Sequence, residues 1–260
     1  MADRVDLNSD MGESFGAWKM GADSEVLTSV SSANIACGFH GGDPAVMRET
    51  VRLARDANVA VGAHPGLPDL IGFGRREMRV TPDDVENMTI YQIGALAAIA
   101  AAEGVRLRHV KAHGALYNMA ARDAALATAI ARAIAAVDPS LVMFGLAGSH
   151  MLQIGREHGL QVASEAFADR AYEPDGSLTP RTRPGSVIHD PDLVVRRAVK
   201  MVQQGKVTAV DGSEISLQAD TICTHGDTPG AHGLVRRLRE GLQQQGIAIA
   251  PPATREDVRA

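Results

Sequence analysis

Aromatic side chains are scarce in this 260-residue chain: one Trp, three Tyr and five Phe make up 3% of it. That scarcity argues against the aromatic–basic grooves on which single-stranded nucleic acids stack. Basic charge is not in excess either. Lys and Arg number 26 against 31 Asp and Glu, a net charge of −5, so the chain offers no footprint for a polyanion and no nucleic-acid partner is expected. Cysteine is nearly absent. Cys37 and Cys223 are too few for a secreted disulfide framework and both sit in apolar runs, which points to a reduced, cytoplasmic protein. No stretch approaches the ~20 apolar residues of a membrane span, and Met1-Ala2-Asp3-Arg4 lead into acidic sequence rather than a signal-type apolar core, so no membrane partner is expected.

What is present is ordinary globular material, 45% apolar and 22% charged, rich in Ala and Gly. A chain this long folds without needing a disulfide or metal, and its core should consist of small and aliphatic residues. Strand-like runs at 5–9, 33–37, 59–63, 109–112, 141–146, 162–167 and 221–224 alternate with helical stretches near 43–57, 81–103, 122–137, 149–157, 191–204 and 230–245. Thr81-Pro82 and Asp43-Pro44 read as N-caps followed by Pro at the first helical position, and Asn58, Gly104 and Gly159 fall where helices should stop. Strand and helix repeated about seven times without a linker predict an α/β fold with a parallel sheet. Length and repeat number favour closure into one barrel domain over residues 1–250. Asp211-Gly212 marks a hairpin insertion at 206–217, residues 170–186 read as a Pro/Gly-rich loop, and 251–260 as a polar tail.

In parallel barrels the working groups lie at the carboxyl ends of the strands, and here those ends carry ionisable clusters. The first strand run supplies Asp6, Asn8, Asp10 and Glu13; the second His40, before Gly41-Gly42-Asp43; the third His64; the fourth Lys111 and His113. The sixth supplies Glu165, Asp169 and Arg170, and the last His225 and Asp227. One such residue means little, but several converging on one end of a barrel make a site.

The segments VDLNSDMGESFG (5–16), SANIACGFHGGD (32–43), GAHPG (62–66), GFGRR (72–76), KAHGALYN (111–118), FADRAY (167–172) and HGDTP (225–229) resemble the LamB/YcsF family, in order, from about residue 4 to 245. The resemblance implies a distorted seven-stranded β/α (TIM-like) barrel of the glycoside hydrolase/deacetylase type. It also implies an enzyme that, with two other 5-oxoprolinase subunits, opens the 5-oxoproline lactam to glutamate at the expense of ATP. Two positions depart from the family pattern: Ser9 stands where Cys is expected and Ala112 where Pro is expected. The first implies that a thiol at position 9 is not essential; the second would relax the strand end that presents His113.

A five-membered lactam is a poor electrophile, and phosphorylation of its carbonyl oxygen would activate it. The chain has no G-x-x-x-x-G-K-[ST] loop, and Gly41-Gly42-Asp43 offers an anion only a helix N-terminus without a lysine. ATP is therefore expected mainly on the partner subunits. The catalytic candidates are Asp10 or Glu13 as general base on water, aided by His40 or His64, with Lys111 and Arg75 against negative charge and His113 as proton donor to the ring nitrogen. Asp6, Asn8, Arg75, Glu165, Asp169, Arg170, His225 and Asp227 are the expected substrate contacts.

Asp10, His40 and His64 are equally the ligand types of a catalytic divalent metal. This keeps a stand-alone metal-dependent amide or N-acetyl-sugar hydrolase as an alternative, with a pure scaffold role as a third. Plainer readings stand beside these. Asp6 and Asp10 can cap a turn, Arg75-Arg76 can be a solvated pair, Asp169-Arg170 an internal ion pair, and Tyr117 a packing residue. His109, His150, His158, His189 and His232 read as surface or helix-end residues. Self-association of the chain is left open by its sequence.

Overall fold

The computed structural model describes residues 4–180, 182–224 and 231–254. In chain order its elements are β1 (Arg4–Met11), α1 (Asp23–Val26), β2 (Ser32–Ala36), α2 (Pro44–Asp56), β3 (Ala60–His64), α3 (Pro82–Ala102) and β4 (His109–Lys111). Then come α4 (Gly114–Arg122), α5 (Ala124–Val137), β5 (Val142–Leu146), α6 (His150–Glu157), β6 (Gln161–Phe167) and α7 (Pro191–Gln204). The chain continues with β7 (Lys206–Thr208), β8 (Glu214–Ser216), β9 (Thr221–Thr224), α8 (Ala231–Gln244) and β10 (Ala248–Ile249).

Seven strands, β1 to β6 and β9, pair in parallel, and β9 pairs back onto β1 to close a barrel. The two-residue β10 adds to the start of β1 outside that ring. β7 and β8 form a separate antiparallel hairpin with Lys206 opposite Ser216. Each barrel strand is followed by at least one helix, so every strand end opens on the same face.

Local chemistry explains the helix boundaries. Asp43 accepts from the Ala45 and Val46 amides at the start of α2, and Thr81 and Asp84 cap α3 reciprocally. Asn58, Gly104 and Gly159 take left-handed backbone with φ of 55°, 72° and 76° beyond α2, α3 and α6. The helical stretch expected from 122 starts instead in two pieces. Asp123 is extended, at φ −120° and ψ 109°, and its carboxylate caps Ala125 and Leu126, so α4 ends there and α5 begins. No helix among the described residues is long and apolar enough to cross a membrane.

Strand alternation sorts the core into two unlike layers. Val5, Leu7 and Met11 of β1, with Ala33 and Ile35 of β2 and Val61 and Ala63 of β3, lie buried in the aliphatic layer under the helices. The opposite faces of the barrel strands carry Asp6, Asn8, Asp10, Asn34, His64, His109, Lys111, Glu165 and Cys223. The small, aliphatic core expected from composition is thus correct between strands and helices, while much of the barrel interior is polar and hydrogen-bonded. Its apolar part is a patch of Val142, Phe144 and Ala163. Ser9 falls on the outward face, away from Asn8 and Asp10.

Candidate active site

Three strands end on inward-facing ionisable groups: β1 on Asp10, with Met11 turned outward after it, β3 on His64 and β4 on Lys111. Strand β1 runs past the expected residue 9, so Asp10 is fixed by the sheet, opposite Asn34 of β2. Glu13 and His40 arrive on the loops after β1 and β2, and His113 is the residue that opens α4. Gly74, at φ +62°, presses between two of these groups. A methyl group there would meet His113 Cδ2 and His40 Cβ at 2.8 Å each.

Lys111 is the electrostatic centre. Its Nζ donates to Asp10 Oδ1 at 2.8 Å, Cys223 Sγ at 3.0 Å and Asn8 Oδ1 at 3.3 Å, and it lies 3.0 Å from Glu165 Oε1. Burial alone would pull its pKa down, but Asp10, Cys223 and Glu165 together hold it well above the ordinary lysine value, which favours the ammonium. Asn34 Nδ2 donates to Asp10 Oδ1 at 2.9 Å and Asn8 Oδ1 at 2.7 Å, while its own Oδ1 accepts from His109 Nε2 at 2.7 Å. Asp10 Oδ2 is left facing His64 Nε2 at 3.3 Å.

The histidines pack against one another. His64 Nδ1 donates to the Lys111 carbonyl at 2.7 Å, and its Nε2 lies 2.9 Å from His113 Nδ1; His113 Nε2 donates to the Phe73 carbonyl at 2.8 Å. His40 stacks face to face on His113, ring centres 3.7 Å apart. Glu13 Oε1 is 3.6 Å from His113 Nδ1 and 3.7 Å from His40 Nε2. Burial, followed by the charge of His64, pushes His113 down to about 3, and burial together with His113 lowers His40 well below its ordinary value. Glu13, His40, His64 and His113 each offer a ligand atom within 4.8 Å of the others, a group that could hold a metal. It contains two of the three metal ligands expected from sequence, His40 and His64, and adds Glu13 and His113; Asp10 borders it.

A cavity of about 1020 Å³ opens over Asp10, His64, Lys111 and His113. Arg75, exposed, lines its rim with the guanidinium 4.8 Å from the centre of the Phe73 ring. Tyr117 lines it as well, buried beside Glu165, and burial first and Glu165 second raise the phenol far above its usual pKa.

Comparison with known proteins identifies the kind of barrel to which such a mouth belongs. The LamB/YcsF family profile matches residues 5–257. The chain belongs to the LamB/YcsF family. Relatives in the family include a protein from Oceanobacillus iheyensis named as the A subunit of 5-oxoprolinase, 56% identical over 246 residues, which cover 95% of this chain and 96% of that one. A second, of the same name, from Methylococcus capsulatus is 56% identical over 250 residues, 96% of each chain. The crystal structure of a lactam utilization protein from Thermus thermophilus superposes with a TM-score of 0.91 at 52% identity, covering 95% of this chain and 99% of that one.

In this LamB/YcsF member the residues expected at the site are not all together. Asp10, Glu13, His40, His64, Lys111 and His113 converge, with Asn8 and Glu165 beneath them. Asp6 lies deeper, bound by Ser31, Ser32 and Thr221. Asp169 is buried behind the rim, where its charge reaches Arg197. Arg170 lines the cavity but gives its guanidinium to the carbonyls of Thr179 and Ser186. His225 and Asp227 lie outside the described residues.

Three participants are not evident from sequence. His109, expected at the surface, is buried in the barrel and stacked on Phe144 at 4.3 Å, while Asn34 and Cys223 complete the network around Lys111. Their signal lies in the inward parity of β2, β4 and β9. At the glycine-rich turn before α2, Asp43 itself takes the Ala45 and Val46 amides of the helix start.

Proposed function

We propose that the chain is the component of a cytoplasmic, ATP-dependent 5-oxoprolinase that carries the lactam-opening site, working with two partner subunits that supply most of the ATP binding. One observation carries this reading: Asp10, His64, Lys111 and His113 line one cavity floor in a chain 56% identical, over 95% of its length, to a protein named as the A subunit of 5-oxoprolinase. The cavity lies at the top of the usual ligand range of about 300–1,000 Å³, so it has room for more than a small lactam.

Asp10 acts as the base. Its Oδ1 is fixed by Lys111 and Asn34, and Oδ2, beside His64, takes a proton from water as that water attacks the ring carbonyl. Lys111 sets its positive charge against the oxyanion or acyl phosphate, a contribution of ~10²–10³ in rate. Arg75 at the rim pairs with the substrate carboxylate. His113 is a poor proton donor, since its Nε2–H is held by Phe73 and burial pushes its pKa down to about 3; the proton for the departing ring nitrogen is the one that Asp10 takes from the attacking water, while Lys111 keeps its charge throughout. A divalent ion held by the Glu13 and histidine group would polarise the carbonyl further.

Co-expression with the two partner subunits and an assay of glutamate formed from 5-oxoproline, with and without ATP, tests this. ATP-dependent glutamate formation is expected. A complex that binds 5-oxoproline but is indifferent to substitution of Asp10, His64 and Lys111 would reduce the chain to a scaffold.

A further inference from the structure

We infer that His64 Nε2, His113 Nδ1 and Glu13 Oε1 form a three-ligand site for one divalent transition-metal ion of the zinc class, with His40 stacked beside the site and not ligating. The inference deepens the lactam-opening reading and rests on it only for the use made of the ion; binding itself is measured without substrate.

Hydrogen bonds to the backbone fix the tautomers. A carbonyl oxygen only accepts, so the bonds to Lys111 O and Phe73 O place the hydrogens on His64 Nδ1 and His113 Nε2. In the neutral rings both facing nitrogens, His64 Nε2 and His113 Nδ1, then carry lone pairs, and they are 2.9 Å apart. Two lone pairs at that distance repel unless something positive lies between them. A shared proton would satisfy these two atoms alone. The same point is approached by Glu13 Oε1, 3.6 Å from His113 Nδ1, and bordered by Asp10 Oδ2, 3.3 Å from His64 Nε2. Two imidazoles with a carboxylate are the donors of a metal site, and carbonyls commonly hold the outer ring nitrogens of such ligands.

Ring orientation removes His40 from the set. A ligating nitrogen directs its lone pair in the plane of its ring. The His40 and His113 rings are parallel within 1° at 3.7 Å, so one ion cannot lie in both planes, whereas His64 stands at 87° to His113. Neither ring nitrogen of His40 has a hydrogen-bond partner among the described residues, so no backbone carbonyl holds its outer nitrogen as the Lys111 and Phe73 carbonyls hold those of His64 and His113. Imidazole donors favour zinc, cobalt, nickel or iron over magnesium and calcium. When bound, such an ion supplies Lewis-acid polarisation of a carbonyl or water at the cavity floor.

The test uses the full-length, tag-free chain, stripped with a chelator and titrated with Zn²⁺ and Co²⁺. Bound metal is counted by mass spectrometry after gel filtration, and Co²⁺ is followed by its visible absorption. One ion per chain is expected, with magnesium failing to compete. H64Q, H113Q and E13Q should each weaken binding about 100-fold, while H40F, which keeps the stack, should stay within about threefold of the parent. Should H113Q fail to fold, E13Q carries the comparison. Absence of stoichiometric binding, or loss in H40F equal to that in E13Q, overturns the inference. Turnover of 5-oxoproline by a metal-free complex would overturn the use made of the ion and leave the lactam reading intact; metal binding without turnover would uphold the site and remove the lactam reading.

Discussion

Asp10 Oδ1 and Lys111 Nζ are joined at 2.8 Å, and the same nitrogen lies 3.0 Å from Glu165 Oε1. One buried ammonium therefore holds two carboxylates inside the barrel, and its removal leaves both without their shared cation. K111M should cost about 3–5 kcal/mol of stability, the range for breaking one partner out of a buried ion pair. Turnover of the assembled complex should fall by at least ~10². Urea unfolding of the isolated chain and steady-state kinetics of the complex check the two effects. A variant as stable as the parent would show that the carboxylates do not depend on Lys111.

Asp6 makes stability depend on pH. Burial pushes its pKa up from 3.8 to about 6, with Glu165 adding to the rise and hydrogen bonds from Ser31, Thr221 and Ser32 opposing it. The folded state thus holds this proton more tightly than the unfolded state. The stabilisation is fully present below about pH 4 and is lost as pH rises through about 6, a change of about 3 kcal/mol. D6N stays neutral throughout, so the difference between parent and variant should shift in favour of the variant across that window. Denaturant unfolding at about pH 4.5 and about pH 7.5 measures it, and parallel profiles would contradict the assignment.

Gly74 tests how closely the histidines are packed. In G74A the new methyl meets His113 and His40 and the residue keeps a left-handed backbone. Strain and overpacking together should cost about 2–4 kcal/mol, and turnover should fall because His113 moves. Thermal unfolding with parallel kinetics reads both. Unchanged values would mean that the loop carrying Gly74 yields freely.

Much of the fold is legible in the sequence. The N-caps at Asp43 and Thr81, the stops at Asn58, Gly104 and Gly159, and the seven strand runs follow from local chemistry that does not depend on distant contacts. The interior of the barrel is harder to read. In β1 the alternation of Val5, Leu7 and Met11 with Asp6, Asn8 and Asp10 is the same pattern that a half-exposed strand would show. Only closure of the sheet turns the polar face inward, and closure depends on β9 meeting β1, with Asp6 and Thr221 joined across 215 positions of chain. His109 defeats local reading for that reason: a three-residue strand gives too little periodicity to assign a side. The gathering of Asp10, His64, Lys111 and His113 is legible because each ends a strand or follows one closely, and parallel strands of a barrel all end on one face.

Asp10, oriented by Lys111 and Asn34, is proposed as the base that opens the ring, and the turnover number of the three-subunit complex carrying D10N tests that role most directly. The asparagine can still accept from Lys111 and Asn34 through one oxygen and Glu165 still pairs with Lys111, so the variant should fold, at a stability cost smaller than that of K111M, while ATP-dependent glutamate formation falls ~10²–10⁴-fold. Parental turnover in a correctly folded D10N complex would contradict the account.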